Sequence, residues 1–154
     1  MNKLETAQFS IEKIIDAKTS SGNVFQELLY GDKILLIAHG EVVAGFDLSK
    51  VNKDNVEVKG SSLQLMLPAP EILYTRIDND KTKVYDRKQG ILTKGNKDLE
   101  SEARKSAEQS IRQAACDADI LEQASTNVKK QLKTMFGSYG YSEISIDIPR
   151  GNCQ

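Results

Sequence analysis

The apolar residues of this chain change their spacing near Gly95, and that change limits what the chain can fold into. Before it, apolar and polar side chains alternate in short runs between polar turns, the two-residue period of half-buried strands. After it, Leu99, Ala103, Ala107, Ile111, Ala114 and Ala118 recur at steps of three and four, as one face of a helix requires. Strands in one block and helices in the next make an α+β chain. Its expected form is a largely antiparallel sheet, built by the N-terminal two-thirds plus a final strand and covered on one face by a C-terminal helix pair.

Within the first block, Thr6 to Ile15 reads as a strand that breaks at Ser20-Ser21-Gly22-Asn23. Lys33 to Phe46 reads as a long central strand, with a bulge or bend expected at Gly40 and Gly45. Val56-Glu57-Val58 and Leu63 to Leu67 follow across the turn at Gly60, and Pro68-Ala69-Pro70 stops the ladder because proline lacks the N–H it needs. Glu71 to Ile77 and Thr82 to Asp86 read as two arms of a hairpin around Asp78–Lys81. In the second block, Asp119 with Glu122 looks like a capping box opening a second helix, whose stripe is Leu121, Ala124, Val128, Leu132, Met135 and Phe136. Gly137 is its expected stop, and Tyr141 to Ile148 alternates as a closing strand. With no repeat and no linker, residues 4–149 read as one domain and 150–154 as a mobile tail.

Charge narrows the functional classes. Lys+Arg 21 against Asp+Glu 22 leaves a net charge of -1, so no excess of positive charge draws the chain onto nucleic acid or anionic lipid. A one-sided cluster of Lys81, Lys83, Arg87, Lys88, Lys94 and Lys97 would be needed to reverse that expectation. The longest apolar run, Ile34 to Ala38, falls far short of the ~20 residues that span a bilayer. Met1 to Thr6 has no apolar stretch of the secretion-signal kind, and a start so close to foldable sequence equally suits a chain whose upstream anchor is cut away. Cys116 and Cys153 are too few for a disulfide framework or a Cys-based zinc site. Cys116 reads as a small buried apolar residue and Cys153 as a thiol in the tail; a bridge between them is the alternative in an oxidising space.

Catalytic groups are sparse. His39 is the only histidine, so His-pair zinc sites and His–His acid/base schemes are excluded, and any nucleophilic triad would have to use it. It sits in the most apolar strand, where a structural role is the simpler reading. Gly90 to Gly95 has the outer glycines of a phosphate loop, but Asn96 and Lys97 stand where Lys and Ser or Thr should follow. Asp78-Asn79-Asp80 opens like a calcium loop, but Lys83 and Gln89 occupy the positions of its Gly and its bidentate Glu. The interleaved charges from Lys97 to Glu108 read as a solvated helix face, and Tyr74, Tyr85, Tyr139 and Tyr141 as sheet packing. Neither a metal nor a cofactor is expected. The candidate set for an enzymatic or ligand-binding alternative is His39, Asp47, Glu71 and Asp86, a hydrolase-type or small-ligand site assembled from distant residues.

Three blocks, Gly40-Glu41-Val42-Val43-Ala44-Gly45-Phe46-Asp47-Leu48, Leu65-Met66-Leu67-Pro68-Ala69-Pro70-Glu71-Ile72-Leu73 and Val84-Tyr85-Asp86 with Gly90-Ile91-Leu92, carry a family resemblance. Glu102-Ala103-Arg104, Ile120-Leu121-Glu122-Gln123-Ala124, Asn127, Leu132 and Tyr141 extend it through the helices. From about Leu4 to Ile148 the chain resembles a bacterial domain-of-unknown-function family, DUF4230. Arg87 and Val128 depart from its pattern, which has an acidic residue and Ala more commonly. The resemblance implies a soluble domain behind an N-terminal membrane anchor, outside the cytoplasm in preference to inside it. It supplies no catalytic residues. The reading is therefore a non-enzymatic domain that binds another protein or assembles with itself, touching the membrane only through an anchor absent from this chain.

Overall fold

The computed structural model describes residues 2–19, 29–92, 94–95 and 97–153. Among them the order is β1 (Lys3–Lys18), β2 (Asp32–Asp47), β3 (Val56–Lys59), β4 (Ser62–Met66), β5 (Glu71–Ile77), β6 (Lys83–Gln89), α1 (Leu99–Asp117), α2 (Ile120–Ser138) and β7 (Glu143–Asp147). Strands lead and helices follow, so the chain is α+β. The break expected at Ser20 to Asn23 lies outside the described residues. The strands form two sheets. In one, β2 lies between β1 and β5 and also pairs with β6; in the other the order is β3-β4-β7.

The chain folds as two compact units, the first made of residues 1–9, 42–74 and 115–154, the second of 10–41 and 75–114. In the first unit Val42, Val43, Ala44 and Phe46 are all buried, so this end of β2 is covered on both faces, against the alternation of a half-buried strand. A Cβ at Gly45 would overlap the carbonyl oxygen of Leu4, so Gly45 serves close strand approach. Helix α2 docks on β1 through two hydrogen bonds: Thr6 Oγ1 donates to the Ala124 carbonyl at 3.1 Å, and Asn127 Nδ2 donates to the Thr6 carbonyl at 2.6 Å. β3 and β4 are antiparallel around Gly60, whose φ of 61° suits glycine. β7 joins β4 in parallel, with Leu63 beside Ile144 and Leu65 beside Ile146.

Several local readings are corrected here. Asp119 has φ 57° and its side chain makes no capping bond, so the expected capping box is absent. With α1 ending at Asp117, two residues must turn the chain into α2, and the left-handed conformation that Asp tolerates does so. Gly137 lies inside α2, and the left-handed glycine after it is Gly140, with φ 95°. Cys116 is bridged to Cys153, with Cα atoms 6.0 Å apart, so it is no free apolar residue.

In the second unit the inward stripe of α1 is Leu99, Ala103, Ala107 and Ile111, each at a four-residue step, and the next buried residue of the helix is Ala115; Ala114 and Ala118 are more exposed. A Cβ at Gly40 would sit 3.0 Å from Ile111 Cδ1 and 2.7 Å from the Arg76 carbonyl oxygen, so Gly40 lets the helix settle directly on β2. In its pairing with β6, β2 has a register shift between Leu35 and Leu36. β6 runs antiparallel to β2 from Asp32 opposite Gln89 to Ile37 opposite Lys83. The expected hairpin is therefore replaced: β6 uses an edge of β2, which at 16 residues is longer than one seven-residue strand can occupy. The connecting turn docks on His39, whose carbonyl accepts from the Asp78 N–H at 2.8 Å and whose N–H donates to Thr82 Oγ1 at 3.1 Å.

Asp32, 1% exposed, is held by a two-pronged Arg87 contact, Nη2–Oδ2 at 2.9 Å and Nε–Oδ1 at 3.4 Å. A buried carboxylate is tolerable only with such a partner, and the planar guanidinium fork matches its geometry. Asp32 keeps the guanidinium pKa above its ordinary value.

Candidate functional site

Alternation along the strands decides which of the polar groups can meet. On β1, Ser10 and Glu12 share a face; on β2, His39 and Glu41 do. These residues, with Arg76 and Lys81, line an open groove of about 410 Å³ in the second unit. His39 Nε2 lies 3.0 Å from Glu12 Oε2, and Arg76 Nη2 lies 2.6 Å from Glu41 Oε1. Lys81 pairs with Asp78 at 3.3 Å. The Asp78 carboxylate also accepts from the backbone N–H groups of Asp80 and Lys81, both at 3.1 Å, and these bonds, the Lys81 N–H first, hold its pKa below the ordinary value. The segment that opens like a calcium loop is thus a side-chain-closed turn.

Of the four candidates named from sequence, His39 and Asp86 lie in the second unit and Asp47 and Glu71 in the first. His39 faces the groove with Glu12, whereas Asp86 lies opposite Leu35 beside a shallow depression shared with Asp16, Lys33 and Lys88. Asp47 ends β2 and caps the single-turn 3-10 helix Leu48–Lys50, accepting from Ser49 Oγ at 2.6 Å and from Ser49 N–H at 3.0 Å. The hydroxyl and then the amide lower its pKa. Glu71 is gripped by Lys3 at 2.9 Å and Lys50 at 3.1 Å, and hydrogen bonds from these two ammonium groups, Lys3 first, lower its pKa. Each of these two carboxylates is occupied in holding local structure.

A pH dependence follows with a definite sign. Lowered folded-state pKa values at Glu71, Asp47 and Asp78 mean that their stabilisation is complete above the ordinary carboxylate range and is lost as pH falls through the depressed values. Thermal unfolding followed by circular dichroism is expected to show the midpoint dropping below about pH 4.5, with Glu71→Gln giving a shallower acid limb.

Glu12, Glu41 and Arg76, the partners that shape the groove, are missing from the candidates read from sequence. Two-residue spacing of Ser10 with Glu12 and of His39 with Glu41 is the signal that finds the two glutamates, since it sets all four outward if both strands carry their apolar sets inward. The glycines of the apparent phosphate loop serve the backbone instead. The Gly90 N–H donates to the Gly31 carbonyl at 2.6 Å, continuing the ladder between β2 and β6, and Gly95 has φ 78°. Thr93 and Asn96 lie outside the described residues. The basic set does not face one way either: Arg87 turns to Asp32, and its neighbour Lys88 lies on the opposite face beside Lys33. On α1, Arg104 bonds Glu100 at 3.0 Å in an i,i+4 pair, as a solvated helix face does.

The family model of a protein of unknown function, DUF4230, matches residues 1–146. No curated protein and no solved structure matches the chain. No described helix is long and apolar enough to cross a membrane.

Proposed function

The chain belongs to the DUF4230 family of proteins of unknown function, and from that premise we propose that it is a non-catalytic assembly domain, held outside the cytoplasm of a bacterium by a membrane anchor that precedes it. The observation that carries this reading is the engagement of the candidate carboxylates. Asp47 caps a turn and Glu71 clamps two lysines, so neither is spare for acid/base chemistry. The Cys116–Cys153 bridge supports the location, because disulfides persist in oxidising compartments and are rare where thiol reductants act. Exposed apolar side chains on strands, among them Val56, Val58 and Tyr85, supply surface for a protein partner.

Cross-linking of the full-length protein in its own membrane, followed by mass spectrometry of captured neighbours, tests the reading. A reproducible protein neighbour or a second copy is expected; recovery of the domain uncross-linked at every reagent concentration would sink it. A second reading rests on the groove, where the His39–Glu12 pair faces Ser10 and Arg76 in a volume suited to a small polar ligand. Substrate turnover lost in His39→Ala, with folding intact, would favour it over assembly.

A further inference from the structure

β3 is an edge of the sheet in the first unit, and all four of its residues are exposed. The hairpin it forms with β4 fixes which backbone groups look outward. Its turn holds only Gly60 and Ser61, so Lys59 and Ser62 close the hairpin as a hydrogen-bonded pair, and Glu57 with Gln64 is the next such pair. Val58 sits between them, so its N–H and C=O point away from β4. The same alternation turns the Val56 carbonyl outward, while the Val56 N–H donates to Lys53.

The side chains of this edge are open as well. Val56 and Val58 share a sheet face with Leu63, Leu65 and Ile146, which are buried, yet they are 41% and 50% exposed. Among the described residues an apolar row thus begins in the core and runs out at an edge with no strand beside it. On the opposite face Glu57 and Lys59 flank Val58, and within one chain they pair with each other at 2.6 Å.

We propose that β3 pairs antiparallel with β3 of a second copy of this chain, on a two-fold axis through Val58; this rests on the assembly reading above and names its surface. The axis sets Val58 against Val58, with both N–H···O bonds exchanged, and sets each Glu57 against Lys59 of the other copy. Each ion pair within a chain is exchanged for one between chains, so no charge loses its partner. Edges that deter pairing do so with Pro, with a bulge, or with charges, Lys above all, that repel an incoming strand. This edge carries one charge of each sign, at the spacing a copy satisfies. The result is a continuous six-stranded sheet across two chains.

Sedimentation equilibrium of the chain across the micromolar range tests this. A reversible dimer is expected, weakened about tenfold or more by Glu57→Lys or Lys59→Glu, each of which places two like-charge pairs across the axis. The double exchange Glu57→Lys with Lys59→Glu is expected to restore it. All three variants alter exposed side chains, and unchanged circular dichroism confirms that they fold. A chain that stays monomeric throughout overturns the proposal, and the membrane cross-linking then decides separately whether another protein is the partner. A dimer indifferent to both reversals, or one the double exchange fails to restore, also overturns it while leaving self-assembly through a different surface.

Discussion

Replacing Cys116 and Cys153 with serine is expected to lower stability by about 4 kcal/mol, the loop-closure value for a bridge across a separation of 37 residues. For a chain of this size that corresponds to a fall in Tm of about 10 °C. The same shift is expected when the native chain is unfolded with and without a thiol reductant, and mass spectrometry should show the gain of two hydrogens on reduction. The bridge joins the end of α1 to the segment after β7, so what its loss frees is a long stretch of the unfolded chain. Coincident melting curves under both conditions would show that the two sulfurs are unbonded in solution. They would also remove the support for an oxidising location.

The other large effect is expected at Phe46, the bulkiest side chain among those fully buried. Phe46→Ala is expected to cost about 3–5 kcal/mol, part from lost transfer of the ring out of water and part from the cavity left behind. Urea unfolding measures it as a lower midpoint at unchanged slope. Total stabilities of single domains are about 5–15 kcal/mol, so this variant should lie near the edge of folding at 37 °C. Phe46→Leu keeps most of the volume and is expected to cost about half as much or less. Its neighbour Gly45 explains why the site cannot relax easily: the backbones of β1 and β2 already meet there.

Much of this fold is legible in the sequence where short-range chemistry decides it. The alternation of Glu71 to Ile77 matches β5 at both ends, and the change of period near Gly95 separates strands from helices as the structure does. Asp47 also caps the turn that follows it, as a short polar side chain after a strand tends to. Long-range choices are less legible. Nothing in Thr82 to Asp86 distinguishes pairing with β5 from pairing with β2, because both edges offer the same backbone groups. The parallel placement of β7 beside β4 depends on where the two helices return the chain. The groove around His39 is not legible from a lone histidine, because its partner Glu12 comes from a strand far away in sequence. Cys116 reads as one more small residue on an alanine-rich helix, with a bridge to Cys153 as the alternative; the return of the segment after β7 selects the bridge.

The covalent link between Cys116 and Cys153 encloses all of α2 and β7 within one ring of the chain. A protease that cuts anywhere inside that ring therefore opens a loop without severing the molecule. Both fragments stay tethered, α2 remains hydrogen-bonded to β1 through Ala124 and Asn127, and β7 remains in register with β4. Against a protease the chain gains from this a tolerance to nicking that its first half, which has no cysteine, does not share.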